Sequence, residues 1–105
     1  MACLDFSKLG GLVPAVVQDW KTKDVLMVGF MNRSAWKKTL RTKKATFWSR
    51  TYRKLWTKGE TSGNYLLVKK IRVDCDNDTV LITAKPLGPV FHTENKTCFF
   101  KAVKC

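Results

Sequence analysis

The sequence predicts a mainly β fold of the α+β class, with one short helix near residues 33–41. Three observations support this fold class. The 105 residues contain no repeat and no Pro/Gly/Ser-rich linker, so we expect one domain over residues 1–105. Most apolar residues fall in short runs rich in β-branched side chains, which predict strands. A single stretch has the apolar spacing typical of an amphipathic helix.

The chain opens with two predicted strands. Residues 12–18 and 24–30 are apolar, β-branched runs, and the polar residues 19–23 between them predict a short connection. Proline has no backbone N–H to donate to a sheet. Pro14 is therefore predicted to lie on a sheet edge or at a bulge.

The helix is predicted over residues 33–41, directly after Asn32, whose side chain can cap a helix N-terminus. Ala35, Trp36 and Leu40 share one face, so we expect them to be buried, while the basic residues of this segment largely face water.

Further strands are predicted over residues 45–50, 65–75 and 79–85, with another short strand over residues 98–103. Residues 76–78, Asp-Asn-Asp, have side chains that favour turns. We therefore expect a hairpin between the strands on either side of them.

The chain is strongly basic. It has 20 Lys and Arg against 8 Asp and Glu, a net charge of +12, which favours phosphorylated small molecules, nucleic acid or other anionic partners. The longest apolar stretch, Val25 to Met31, is too short for a membrane helix, so we expect no membrane partner. The N-terminus has no secretion signal, which predicts a cytoplasmic protein whose four cysteines are thiols or metal ligands.

The basic residues concentrate in one region. Residues 33–58 contain ten Lys and Arg and no Asp or Glu, interleaved with aromatic residues. Such a surface can pair with phosphates and stack bases, as in nucleic-acid binding. The alternative, which we favour, is that the aromatic residues belong to the core and the charges lie on a solvated face.

Carboxylates concentrate at Asp74, Asp76 and Asp78, three of the eight acids in the chain. They repel one another unless a cation neutralises them. If the strand continues here, Asp74 and Asp76 project from one face and Cys75 from the other. Carboxylates suit Mg²⁺ and a thiolate suits Zn²⁺, so the segment can serve two metals. The alternative is a polar hairpin turn with a buried cysteine.

Two further segments have residues suited to binding or catalysis. Residues 58–64 include two glycines, which let backbone N–H groups approach an anion, beside the cationic Lys58; a plain surface loop is the alternative. His92 is the only histidine, and it can be a general acid or base, a metal ligand or a loop residue.

Taken in order, these segments resemble the phosphoribosyl-AMP cyclohydrolase family over roughly residues 12–100. The motifs that carry the resemblance are Phe47-Trp48-Ser49-Arg50, Leu55-Trp56-Thr57-Lys58-Gly59-Glu60-Thr61-Ser62-Gly63-Asn64, Ile71-Arg72-Val73-Asp74-Cys75-Asp76-Asn77-Asp78, Gly88-Pro89, His92-Thr93 and Cys98-Phe99. The resemblance implies a buckled mixed sheet or pseudo-barrel in an intertwined homodimer.

That family hydrolyses the N1–C6 bond of the adenine ring in phosphoribosyl-AMP, a step of histidine biosynthesis, with zinc-activated water as the nucleophile. The resemblance implies that His92 transfers protons to the ring nitrogen. It implies that Mg²⁺ is bound by Asp74, Asp76 and Asp78, and Zn²⁺ by Cys75 and Cys98. It also implies that the phosphorylated substrate is bound by Trp48, Ser49, Arg50, Lys58, Gly59, Glu60, Thr61, Ser62, Gly63 and Asn64.

The chain departs from the family pattern at Phe91, where the family has another zinc cysteine. A phenyl ring cannot bind zinc, so His92, Cys3 or Cys105 would have to supply the third ligand. The alternative is a catalytically silent relative that binds nucleic acid or another polyanion through its basic surface.

Overall fold

The structure is a computed structural model that describes residues 4–91 and 95–104. Its elements, in chain order, are β1 Val13–Asp19, β2 Val25–Met31, α1 Arg33–Thr42, β3 Thr46–Ser49, β4 Lys54–Thr57, β5 Leu66–Val73 and β6 Val80–Pro86. Within the described residues, no helix is long and apolar enough to cross a membrane.

The strands form two sheets. The larger sheet has the order β2-β1-β6-β5; β1 and β6 are parallel, and the other neighbours are antiparallel. The smaller sheet is the β3-β4 hairpin, which packs against β2 and α1. The mixed sheet and single helix confirm the predicted fold class, although the strands of the described residues do not close into a barrel.

The core lies on one face of the larger sheet. Alternate residues of β1 and β6 point inward because side chains alternate along a strand. From the two strands these buried residues are Val13, Ala15, Val17, Val80, Ile82 and Ala84. Phe47 of β3 completes this core and approaches Gly29 of β2, where a Cβ would lie 2.5 Å from the Phe47 ring.

Helix α1 begins and ends as its sequence dictates. The Asn32 side chain accepts a hydrogen bond of 2.8 Å from the Ala35 N–H, and Lys43 ends the helix in a left-handed conformation at φ 61°. The prediction for its buried face was correct for Ala35 but wrong for Leu40, which is 38% exposed. Thr39 is buried instead, because its hydroxyl bonds both the N–H and the C=O of Thr46.

Three sequence predictions need correction. The sequence did not predict β4, a four-residue strand that pairs with β3. Residues 98–103 form no strand. Pro14 lies in β1, an inner strand, and the bulge of that strand is at Val17/Gln18 rather than at Pro14. The missing N–H of Pro14 is tolerated because the pairing of β1 with β6 begins one residue later, at Ala15.

Candidate active site

The loop that follows β4 forms one wall of a cavity of about 610 Å³. The facing wall is the segment that leads to His92. The lining residues are Trp56, Thr57, Lys58, Gly59, Glu60, Thr61, Ser62, Asn64, Pro89, Val90 and Phe91. Small-molecule sites typically enclose about 300–1,000 Å³, so the cavity has the size of a ligand site.

Local geometry fixes the shape of this loop. The Lys58 N–H donates to the Ala45 carbonyl at 3.1 Å, which ties the loop to the segment before β3. Gly59 and Gly63 have φ of +94° and +81°, and the Gly63 N–H donates to the Gly59 carbonyl at 2.7 Å. A Cβ at Gly59 would lie 2.5 Å from the backbone carbon of Asn64, so the tight turn requires glycine there.

Asn64 couples the two walls of the cavity. Its side-chain Nδ2 donates to the Pro89 carbonyl at 3.3 Å, and its backbone N–H donates to the Ser62 hydroxyl at 3.1 Å. A Cβ at Gly88 would collide with the Asn64 amide oxygen, so Gly88 lets the two segments approach. The Leu87 N–H also donates to the Tyr65 carbonyl at 3.0 Å, so the Asn64 amide and this backbone hydrogen bond together hold the two walls at their spacing.

The structure divides eight of the ten predicted substrate residues between two concavities, and Ser49 and Gly63 line neither of them. Six of them line the cavity described above: Lys58, Gly59, Glu60, Thr61, Ser62 and Asn64. Trp48 and Arg50 line a second concavity of about 450 Å³, together with Arg53. The Arg50 guanidinium lies 3.9 Å from the centre of the Phe30 ring, which holds it in place. Ser49 instead accepts a hydrogen bond from the backbone of the β3-β4 turn.

Asp74, Asp76 and Asp78 come together in the turn after β5. Each contributes an oxygen to a group whose atoms all lie within 4.8 Å of one another. Strand alternation is not the reason, because β5 ends at Val73. Instead, Asp74 Oδ1 accepts hydrogen bonds from the N–H groups of Asp78 and Thr79, at 3.0 and 3.1 Å, which folds the turn around it.

Lys8 supplies a cation to this trio. Its Nζ lies 3.0 Å from an oxygen of Asp76 and 3.0 Å from an oxygen of Asp78. Hydrogen bonds to Asp76 and then to Asp78 raise the pKa of Lys8 above its ordinary value. Three converging carboxylates that already accept a cation fit the oxygen coordination that Mg²⁺ prefers.

The two described cysteines lie far apart. Cys75 is exposed and its Sγ lies 4.0 Å from Asp76 Oδ1, so neither the buried-cysteine interpretation nor the opposite-face prediction is correct. Cys98 is exposed beside β2, where its N–H donates to the Leu26 carbonyl at 2.8 Å. Cys75 follows β5 and Cys98 lies beside β2, the two edge strands of the larger sheet, so the two inner strands, β1 and β6, lie between the segments that carry the thiols. Sulfur ligands of one zinc lie within about 5 Å of each other, so this arrangement does not bring the two thiols of one chain together as a pair of zinc ligands.

Phe91 stands where the resemblance to the family implies a zinc cysteine. Its ring packs on Phe100, with ring centres 4.9 Å apart, and it also lines the cavity. It offers no donor atom, so the described residues do not complete the zinc ligand set that the resemblance implies. His92, Cys3 and Cys105 lie outside the described residues.

A clamp holds the segment that carries Cys98. Lys96 Nζ lies 2.8 Å from Asp24 and 3.5 Å from Asp19, and the Thr97 hydroxyl donates to a β2 carbonyl at 2.7 Å. The hydrogen bond from Lys96 lowers the pKa of Asp24. Burial raises the pKa of Asp19, but backbone N–H donors and Lys96 together outweigh it and lower that pKa. The clamp therefore joins the β1-β2 connection to the chain around Cys98.

Known proteins resemble this chain over the segments that form the candidate site. A family model described as Phosphoribosyl-AMP cyclohydrolase matches residues 27–100. The chain belongs to the phosphoribosyl-AMP cyclohydrolase family. A relative of that name from Desulfatibacillum aliphaticivorans is 54% identical over 102 residues, covering 96% of this chain and 82% of the relative. Another of that name, from Clostridium botulinum, is 50% identical over 98 residues, covering 93% of this chain and 90% of the relative.

Some relatives are longer. The histidine biosynthesis bifunctional protein HisIE of Bacteroides thetaiotaomicron is 60% identical over 96 residues, covering 91% of this chain. The chain spans only about half of that relative, 47% of its length.

Several residues that the structure places at the cavity, the second concavity or the aspartate trio received no site role from the sequence. Lys8 belongs to no motif and lies 68 residues from Asp76 along the chain, so no local pattern could reveal the ion pair. Pro89 and Val90 received no site role from the sequence, although they form a cavity wall. Arg53 was one member of a basic run, and its place beside Arg50 depends on the unpredicted β3-β4 hairpin.

The basic region, residues 33–58, does not present a row of exposed aromatic rings. Phe47 is fully buried, and Trp36, Trp48 and Trp56 are half-buried. Tyr52 is 77% exposed. This pattern agrees with the interpretation that most of these aromatic residues serve the core.

Proposed function

We propose that this chain hydrolyses the N1–C6 bond of the adenine ring of phosphoribosyl-AMP, the cyclohydrolase step of histidine biosynthesis. The observation that carries the proposal is the cavity in which residues 58–64 face residues 89–91, just before His92. The relatives named phosphoribosyl-AMP cyclohydrolase support the choice of substrate. We further propose that the chain acts as a single domain in the cytoplasm, where the proposed thiol ligands stay reduced.

The two concavities suit a substrate with two phosphate groups. Lys58 and the backbone N–H groups around Gly59 can bind one phosphate in the larger cavity. Arg50 and Arg53 can bind the other, because a guanidinium offers a planar pair of donors that matches a phosphate. A net charge of +12 attracts such a substrate. The adenine ring would then lie between the two cationic groups.

The proposed reaction is a hydrolysis at C6. Water adds its oxygen to C6 and the C6–N1 bond breaks, while the bonding electron pair leaves on N1 together with a proton. C6 keeps its amino nitrogen, so it becomes a carboxamide. We assign delivery of the N1 proton to His92, whose ordinary pKa of about 6.5 suits proton transfer near neutral pH. Its place in the sequence directly after Phe91 supports this role.

We propose that Mg²⁺ is bound by Asp74, Asp76 and Asp78, whose oxygens already converge. For zinc, Cys75 of one subunit and Cys98 of the partner subunit are the proposed ligands, because the sheet separates these thiols within one chain. Bound zinc lowers the pKa of a coordinated water to about 7 and so supplies hydroxide at neutral pH. A homodimer follows from this ligand assignment. Phe91 leaves the third ligand unassigned among the described residues.

Neither the comparisons nor the half-buried aromatic residues support the alternative of a silent relative that binds nucleic acid. The proposed function is tested by the change in ultraviolet absorbance when purified protein meets phosphoribosyl-AMP with Mg²⁺ and Zn²⁺. We expect turnover, and we expect Phe91→Cys to increase it. Lys58→Met should raise KM, whereas Lys54→Met, outside the cavity, should leave KM unchanged. Absence of turnover in both the original chain and Phe91→Cys would refute the proposal.

A further inference from the structure

The segment before β1 is fixed against the turn that carries the aspartate trio. Leu4 and Phe6 are buried, at 9% and 6% exposure, and the Asp5 N–H donates to the Asn77 carbonyl at 2.7 Å. The Arg33 guanidinium covers the Phe6 ring at 4.7 Å. These contacts hold the chain two residues before Lys8 in a defined place, beside the turn.

From this anchored segment, the Lys8 side chain reaches two of the three carboxylates. Its Nζ lies 3.0 Å from Asp76 Oδ2 and 3.0 Å from Asp78 Oδ2. The Lys8 side chain remains 45% exposed, so the ammonium can leave these oxygens for water without disturbing buried groups. The described residues contain four acid–base ion pairs, and two of them belong to this one lysine.

We propose that Lys8 is a tethered cation that competes with Mg²⁺ for Asp76 and Asp78. This inference rests on the magnesium site of the proposed function. Mg²⁺ requires its oxygen ligands at about 2.0–2.1 Å, in a nearly octahedral arrangement. An ammonium that bridges two of those oxygens would lie within a few ångströms of the ion, where like charges repel. Binding of Mg²⁺ therefore releases Lys8.

The competition has two consequences. Without metal, Lys8 neutralises part of the charge of the trio and holds Asp76 and Asp78 in place. With metal, the free energy of the two lost ion pairs is subtracted from that of Mg²⁺ binding, so the apparent affinity is lower than the carboxylates alone would give. Exposed ion pairs are individually weak, which sets the expected effect at about three- to tenfold in Kd.

The test is calorimetric titration of the metal-free protein with MgCl₂, with no substrate present. We expect Lys8→Met to bind Mg²⁺ about three- to tenfold more tightly than the original chain, and Lys8→Arg, which keeps the cation, to stay within about twofold. Lys37→Met, which removes an exposed charge on α1, controls for net charge and should change Kd by less than twofold.

The outcomes separate this inference from the proposed function. If Mg²⁺ binds the original chain and Lys8→Met binds it equally or more weakly, the competition is refuted while the magnesium site stands. An equal gain in Lys37→Met would also refute it, because the effect would then be one of net charge. If Mg²⁺ binds neither the original chain nor Lys8→Met, the proposed magnesium site itself fails, and the inference fails with it.

Discussion

Substitution of Gly59 by alanine tests whether the cavity wall depends on a turn that only glycine can form. Gly59 has φ +94°, and an added Cβ would lie 2.5 Å from both Asn64 C and Tyr65 N, which are backbone atoms that cannot turn away. A left-handed conformation costs an alanine about 1–2 kcal/mol. The steric overlap adds about 1–3 kcal/mol, so we expect Gly59→Ala to lower the free energy of unfolding by about 2–5 kcal/mol.

Gly63 provides the matched control, because it lies in the same loop with φ +81° and a Cβ there would meet nothing within 4 Å. Gly63→Ala should therefore show the conformational cost alone, about 1–2 kcal/mol. Urea unfolding followed by tryptophan fluorescence measures both variants. At a temperature where both remain folded, Gly59→Ala should also raise KM for phosphoribosyl-AMP more than Gly63→Ala does. Equal losses of stability in the two variants would show that the overlap with residues 64 and 65 does not exist.

Three further predictions concern other parts of the molecule. Thr39→Val removes the hydroxyl that bonds the Thr46 backbone at 3.0 and 3.2 Å, so urea unfolding should show a loss of about 1–3 kcal/mol, against less than about 0.5 kcal/mol for Thr51→Val in the exposed β3-β4 turn. The hydrogen bond from Lys96 lowers the pKa of Asp24, and Lys96 adds to the backbone N–H donors that lower the pKa of Asp19. Lys96 therefore contributes stability above the ordinary aspartate pKa of about 3.9, and this stability is lost as the pH falls through the folded-state pKa. Lys96→Met should therefore reduce the difference in unfolding free energy between pH 7 and pH 3; an unchanged difference would mean that the clamp does not form in solution. Phe91→Cys restores a thiol, and each zinc ligand is worth about 2.5–4 kcal/mol, so competition with a chelator should show zinc affinity higher by on the order of a hundredfold or more. Equal zinc affinity in the two proteins would show that position 91 is not part of a zinc site.

Features that depend on neighbouring residues could be predicted from the sequence. The start of α1 at Arg33 follows from Asn32, whose side chain bonds a backbone N–H three residues later. The hairpin around residues 74–79 follows from turn-forming side chains between two β-branched runs. The oxygens of Asp74, Asp76 and Asp78 converge, but the turn rather than strand alternation brings them together, and their role as magnesium ligands stays a prediction.

Features that depend on distant residues could not be predicted in this way. The burial of Thr39 in place of Leu40 depends on a hydrogen bond to Thr46, which periodicity does not encode. Residues 98–103 have the composition of a strand but form none; beside β2, the Cys98 N–H donates a backbone hydrogen bond to the Leu26 carbonyl. The roles of His92, Cys75 and Cys98 stay predictions, because they depend on a bound substrate, on bound zinc and on the proposed homodimer.

The most direct test of the central claim is to run the reaction in water enriched in ¹⁸O and to analyse the product by mass spectrometry. If this chain hydrolyses phosphoribosyl-AMP at C6, the product gains one oxygen from solvent, located in the new carboxamide. Without enzyme, no labelled ring-opened product forms. A ring-opened product whose carboxamide carries no solvent oxygen would contradict the account.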